Sequence, residues 1–419
     1  MAAIGGGLVV AGALFGTRSL WQVGLALIGL VAAALGVVRL GRHQLDIERA
    51  LQPERARPGQ PVTVAIRVTN KGTGSAPLLL LEERVPEAFS GANRFAVRGI
   101  EPGGAREASL TLRAARRGRY EVGPLEVSVV DPFSLSQVRS FAIGRDSLLV
   151  HPRIEPLSLP RDPTDRRRVA LASLRHPSGA RGEDFYTLRE YAEGDDLRKI
   201  HWPSTAKRDR YMIRQEETPW QTRATIVLDD RAWAHEGHGS QSSFERAVEA
   251  AASLVDLYHT SGYSYRLLGA HEPGLGSGKR AEHRSRCLDL LATIRPAAAA
   301  GEGALVARLA ELEGAATAEA ALLVVTGTLG GRDALALTRC KRRFGEVTVM
   351  AFPGHRFSGQ TTKSRWEGER RVVEAMRILQ RAGVRTLALG PDESLAAGWA
   401  SLFPARRQEG SWGRRTELV

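Results

Sequence analysis

Cysteine is nearly absent. The chain has 419 residues and two cysteines, Cys287 and Cys340, which form no CxxC pair and no metal-ligand spacing. That excludes a disulfide-stapled scaffold and a cysteine zinc site, and it suits a reducing compartment. Lysine is scarce too, at six of 59 basic residues, so the formal net charge of +13 is carried almost wholly by arginine. Arginine, alanine and glycine are abundant together, a bias that GC-rich coding alone produces. With no RRM, KH, zinc-finger or helix-turn-helix pattern, the charge does not by itself mark a nucleic-acid binder. Phosphate-cradling motifs are missing as well: no GxGxxG or GxxxxGK[ST] follows a strand. The nearest approach, "EPGLGSGKR" (272–280), has the wrong spacing and reads as a flexible loop. No GxSxG elbow accompanies a serine nucleophile.

Apolar residues make up 43% of the chain, enough for cores in the two or three domains its length suggests. Leu20–Val38 is a run of 19 residues with one polar member, Gln22, and no charge. A helix over it would cover a hydrocarbon core of about 30 Å. A shorter, glycine-rich apolar stretch precedes it, separated by Thr17–Ser19. The expectation is a transmembrane hairpin over residues 1–39, in contact with the lipid bilayer. Arg39, Arg42 and His43 follow the second span, which places the rest on the cytoplasmic side of a multi-pass cell-membrane protein.

From 46 to 151 the period is two. "PVTVAIRVTN" alternates Val62, Val64, Ile66 and Val68 with polar partners, and "ASLTLRA" and "GRYEVGPLEVSVV" repeat the pattern between turn signals such as "NKGTG" and "EPGG". An antiparallel β-sandwich of immunoglobulin-like type is expected. Residues 152–222 form a linker and a motif-bearing segment, and 404–419 a basic tail. Between 223 and 403 short apolar strands alternate with amphipathic helices, such as Ser243–Thr260 with Phe244, Ala247, Ala251, Leu254 and Tyr258 on one face. This is the signature of an α/β doubly wound, mostly parallel sheet, whose ligands sit at the carboxyl ends of strands. Asp229, Asp230 and Thr326 fall at such ends.

The most conspicuous stretch is "REYAEGDDLRKIHW", Arg189–Trp202. Paired carboxylates with His201 could hold a metal or serve a hydrolase, but a metal site needs further converging ligands. The structural reading assigns Gly194 to a chain reversal, Asp195 or Asp196 to an N-cap, Arg198 to the face of Trp202, and Pro203 to the stop of a short helix over 197–202. That reading makes the segment a rigid or partner-binding corner.

Gly182–Glu217, "GEDFYTLREYAEGDDLRKIHWPSTAKRDRYMIRQEE", resembles the signature of the bacterial family called domain of unknown function 58. Arg189, Tyr191, Gly194, Asp195, Asp196, Arg198, Ile200, Trp202, Ala206 and Arg208–Arg214 match its pattern, while His201 stands where the family often has Asp. The resemblance implies a membrane-anchored protein with a von Willebrand factor A-like domain. It also implies partnership with a MoxR-type AAA+ ATPase in maturing envelope complexes, alongside transglutaminase-like membrane proteins, with no cofactor. A metal-competent A domain carries Asp-x-Ser-x-Ser after its first strand. Here the loop reads Asp229-Asp230-Arg231-Ala232-Trp233, with Arg231 and Trp233 where hydroxyls belong, and Thr326 lacks a neighbouring Asp. The expectation is a degenerate, metal-free site in a protein-interaction adaptor. The alternatives are a metal-dependent hydrolase using Asp195, Asp196 and His201, or an anionic-lipid or nucleic-acid surface built on the arginine-rich run 161–182.

Overall fold

The computed structural model describes residues 1–40, 45–76, 78–130, 137–159, 186–190, 200, 202–208, 210–216, 223–314, 319–357 and 362–403. It is mixed α/β with several sheets, and the chain divides into two compact units, Met1–Arg153 with Leu291–Thr293, and the remainder.

The first unit opens with α1 (Ala2–Leu14) and α2 (Arg18–Leu40), packed side by side. Glycines make the approach possible: a Cβ on Gly12 would stand 2.5 Å from the Trp21 nitrogen, and one on Gly24 would stand 2.6 Å from the Gly5 carbonyl. Here the expectation of a membrane hairpin is corrected. Among the described residues no helix is long and apolar enough to cross a membrane. The 13 residues of α1 rise only about 20 Å, short of a hydrocarbon core. The multi-pass localisation, and the cytoplasmic side inferred from the flanking arginines, lose their premise with it.

Eleven strands follow: β1 (Leu45–Gln52), β2 (Arg55–Ala56), β3 (Pro61–Asn70), β4 (Leu78–Glu83), β5 (Phe89–Ser90), β6 (Arg94–Val97), β7 (Ala105–Ala114), β8 (Gly118–Val122), β9 (Leu125–Val130), β10 (Gln137–Ile143) and β11 (Asp146–Val150). They form two four-stranded antiparallel sheets, β1-β3-β7-β5 and β10-β9-β4-β6, with a smaller sheet β2-β11-β8. Alternation fixes which face is inward. Val62, Val64, Ile66 and Val68 of β3 join Leu110 and Leu112 of β7, and Leu79 and Leu81 of β4 join Val127 and Val129 of β9, in one buried core. Asn70 closes the "NKGTG" turn: its amide nitrogen donates to the carbonyls of Gly74 and Ile100, and its side-chain oxygen accepts from the Gly72 nitrogen. Where β1 meets the end of β4, buried Arg49 grips Glu83 through two hydrogen bonds of 3.1 and 2.8 Å and also pairs with Asp146.

In the second unit, β12 (Tyr186–Glu190) pairs antiparallel with β13 (Met212–Glu216), with α3 (Trp202–Arg208) between them in sequence. The main body comprises β14 (Arg223–Leu228), α4 (Ser243–Thr260), β15 (Ser264–Gly269), β16 (Leu275–Gly278), α5 (Ala281–Thr293), α6 (Ala304–Gly314), β17 (Glu319–Thr326), α7 (Gly331–Cys340), β18 (Phe344–Ala351), α8 (Thr362–Arg381), β19 (Arg385–Ala388) and α9 (Leu395–Ser401). The six strands lie in the order β16-β15-β14-β17-β18-β19, parallel except for β16. Val227, Leu322, Val324, Val347 and Val349 face α6, α7 and α8 in one core cluster. The alternate residues, including Ile226 and Leu323, face the other side, against which α4 lies. The five residues expected on one face of α4 are all buried, and Ser242 caps the helix by accepting from the Glu245 nitrogen at 3.2 Å.

Two local expectations are corrected. The "EPGLGSGKR" segment is not all loop, since Leu275–Gly278 is a strand antiparallel to β15. Pro203 does not stop a helix but lies in the first turn of α3, where its missing N–H costs nothing.

Candidate functional site

The sheet's topology selects a position. From β14 the chain moves outward to β15 and β16, then returns to place β17 on the other side of β14. The crevice at such a switch lies beyond the carboxyl ends of the two central strands. Because β14 and β17 run parallel with Leu228 opposite Val325, the next residues, Asp229 and Thr326, come out side by side. The Asp229 nitrogen donates to the Val325 carbonyl at 2.8 Å, and the Thr326 hydroxyl donates to Asp229 Oδ2 at 2.7 Å.

Arg231 folds back onto this pair. Its Nε and Nη2 donate to Asp229 Oδ1 and Oδ2, both at 2.8 Å, in a two-pronged fork. Nη1 donates to Asp333 Oδ1 at 3.1 Å and to the Glu302 carbonyl at 2.7 Å, and Nη2 reaches Asp333 Oδ2 at 3.4 Å. The Trp233 ring covers the guanidinium, 4.6 Å from its centre. Asp229 and Arg231 are 0% exposed and Asp333 is 3% exposed. Burial works against the guanidinium's charge, but the hydrogen bonds and charge of Asp229, then those of Asp333, outweigh it and hold the Arg231 pKa above its ordinary value. Burial raises the Asp333 pKa, and the neighbouring Arg231 charge opposes that rise.

Neighbouring residues lock the loop. Asp230 turns the opposite way from Asp229, and its two oxygens accept from the His271 and Glu272 nitrogens at 2.8 and 3.0 Å. The two adjacent aspartates therefore serve different loops. His235 Nε2 donates to the Asp229 carbonyl at 2.6 Å, which leaves Nδ1 to accept from the Ser243 hydroxyl at 3.2 Å. Burial pushes the His235 pKa down, so the ring is held neutral. Ser243 is itself fully buried and its oxygen also accepts from the Glu236 nitrogen, so this Ser–His contact braces the loop without facing a substrate.

This donor set does not suit a divalent ion. Two carboxylates and a hydroxyl converge, but a fixed cation already bridges them, and Mg²⁺ beside a guanidinium would meet like charge. Among the described residues no three His, Cys, Asp or Glu side chains converge as a metal-binding group.

The structure thus brings together Asp229, Arg231, Trp233 and Thr326. It adds Asp333, which the sequence reading missed when it found no acid next to Thr326. Asp333 comes from the first turn of α7, where its Oδ2 also accepts from the Gly330 nitrogen at 3.0 Å. A signal existed: an acid three residues into a helix that follows a glycine turn is an N-terminal capping position. Of the signature residues, Tyr191, Gly194, Asp195, Asp196, Arg198 and His201 lie outside the described residues. Arg189 sits in β12 opposite Ile213, and Ile200 is half-buried. Trp202 opens α3 at 64% exposure, its ring edge-on to Tyr211 at 6.5 Å.

Another conspicuous pair, Cys287 and His283, is not a nucleophile and base. His283 Nε2 donates to the Tyr265 carbonyl at 3.0 Å, so the Cys287 sulfur, 3.6 Å away, faces an N–H. Burial pushes the thiol up to about 12.

Residues 187–351 match the model of a family described as a protein of unknown function, DUF58. That match supports the resemblance seen in Gly182–Glu217. No curated protein matches the chain. Among solved structures, the chain is similar to a CARDB domain from Pyrococcus furiosus in complex with di-metal ions, at 14% identity and a TM-score of 0.21, covering 26% of this chain and 93% of that one. It is also similar to a human seminal-plasma complex of zinc 2-glycoprotein and prolactin inducible protein, at 13% identity and 0.20, covering 26% and 97%. A Listeria innocua beta-glucosidase in complex with glucose follows at 12% identity and 0.19, covering 26% and 16%. Likenesses at these scores carry no argument about function.

Proposed function

We propose that this chain is a protein-interaction module and a partner of a MoxR-type AAA+ ATPase, acting in the assembly or maturation of envelope complexes. On this reading its α/β unit is a von Willebrand factor A-like domain that engages its partner without a metal ion. The observation that carries the reading is the Arg231 guanidinium, held between Asp229 and Asp333 at the switch of the sheet. A metal-dependent interaction domain uses a divalent ion there to bridge to the partner's carboxylate. Here a tethered cation takes over the neutralisation of the two aspartates, so the loop around it is preorganised at all times. The central position of β14 and the arrival of Thr326 beside Asp229 support the A-like assignment. The ATPase as partner is inferred from the resemblance carried by the signature in Gly182–Glu217.

The test is capture of a purified MoxR-type ATPase from the same organism by the immobilised full chain, in nucleotide-free buffer with and without EDTA. The proposal expects capture that EDTA leaves unchanged. Absence of capture would overturn the partner, and loss of capture in EDTA would overturn the metal-independent mode.

A further inference from the structure

The segment 272–280 becomes informative once its place is known. Among the described residues β16 is the last strand of its sheet and bonds to β15 alone, with Tyr265 opposite Gly278 and Leu267 opposite Leu275. No strand or backbone group among the described residues bonds to its other edge. An edge strand is a template for pairing with another chain.

At the carboxyl end of β16 lies a groove of about 720 Å³, lined by Ser277, Lys279, Arg280 and Arg286 among others. The three cations are exposed, and none has an ion-pair partner among the described residues. One acid, Glu282, lines the same groove, so the cations are in excess. This end of β15 and β16 is the opposite end of β15 from the loop that Asp230 holds, so the groove is distinct from the Asp229 site.

We propose that this groove binds an extended acidic peptide segment of a partner protein. The segment adds to the sheet at β16 and sets carboxylates against Lys279, Arg280 and Arg286. An open strand edge distinguishes a peptide from a free phosphate: only a peptide backbone can satisfy the row of N–H and C=O groups on β16, while the cations supply selection for acids. The inference rests on reading the chain as an interaction module and gives that module its docking chemistry.

The experiment uses the full chain and a fluorescein-labelled Glu-Thr repeat peptide of about eight residues, long enough to cover a strand of this size. Anisotropy should show saturable binding that weakens with added salt. Binding should weaken at least tenfold in the variant K279E/R280E/R286E, whose circular dichroism should match the parent. The variant R370E/R377E/R381E makes the same charge change on the exposed face of α8 and should bind within about twofold of the parent, which separates this groove from general attraction to a chain of net charge +13. A Glu-Thr repeat N-methylated at every backbone nitrogen, which lacks the backbone donors, should bind at least tenfold more weakly. The proposal is overturned by absence of saturable binding, by equal weakening in the two charge variants, or by an N-methylated repeat that binds as well as the unmethylated one. Failure of peptide binding with ATPase capture intact would remove this inference alone. Peptide binding with capture lost would remove the ATPase reading alone.

Discussion

Replacing Arg231 with alanine removes one side chain and leaves two buried aspartates without their counter-charge. Asp229 loses both arms of its fork and keeps the Thr326 hydroxyl, while Asp333 keeps only the Gly330 nitrogen. Both partners of the main ion pair are 0% exposed, so solvent offers no screening to discount. Breaking a buried pair from one side costs about 3–5 kcal/mol. The loss of the Trp233 contact and of the bond to the Glu302 carbonyl adds to it. The effect should depend on pH. Asp333 already has a raised pKa through burial, and the charge opposing that rise is the one deleted. A carboxyl whose folded pKa lies above its unfolded value favours the folded state at low pH, and that contribution is lost as pH rises through the folded pKa. The deficit of Arg231→Ala should therefore be largest at neutral and alkaline pH and shrink on acidification through the carboxylate range. Hydrogen-exchange mass spectrometry on peptides covering β14, β17 and the start of α7 reads this local stability directly. Added Mg²⁺ should restore protection in the variant and leave the parent unchanged, because Asp229, Thr326 and Asp333 then lack a cation. A loss under about 1 kcal/mol at neutral pH, or a loss that grows on acidification, would refute the reasoning.

In the first unit, Arg49→Ala strips buried Glu83 of its two hydrogen bonds and should cost about 3–5 kcal/mol, read as a shift of the unfolding midpoint in denaturant. Leu322→Ala, at a fully buried position in β17, should cost about 2–5 kcal/mol by the same assay. Cys287 and Cys340, with thiols pushed up to about 12 and about 11, should resist iodoacetamide near neutral pH in the folded chain and react once it is unfolded. Trp202→Ala, at an exposed position, should change stability by less than about 1 kcal/mol, so any larger loss of partner capture in this variant would place the partner on α3.

Much of the fold was legible because it is written in periods. The alternation at Val62, Val64, Ile66 and Val68 names the inward face of β3 without reference to any neighbour, and Phe244 to Tyr258 does the same for α4. Strand β16 escaped because Leu-Gly-Ser-Gly has no alternation to read, so its pairing is decided by β15. Pro203 was ambiguous for a physical reason: a proline ends a helix or begins one with equal ease, and only the following residues' geometry decides. The apolar run from Leu20 suggests a membrane span by composition, whereas among the described residues no helix is long and apolar enough to cross a membrane. At the site, Asp229, Arg231 and Thr326 could be named because strand ends are predictable. Asp333 could be named as a helix cap but not as a member of the site, since it lies 102 residues from Arg231 and meets it only through the crossover to α7. The signature aspartates Asp195 and Asp196 lie outside the described residues.

The central claim is that the chain's own arginine occupies the place of a metal ion. Calorimetric titration of the full chain with MgCl₂ tests it most directly. The account predicts no saturable binding at sub-millimolar concentration in the parent protein. Sub-millimolar binding that disappears in Asp229→Ala would contradict it.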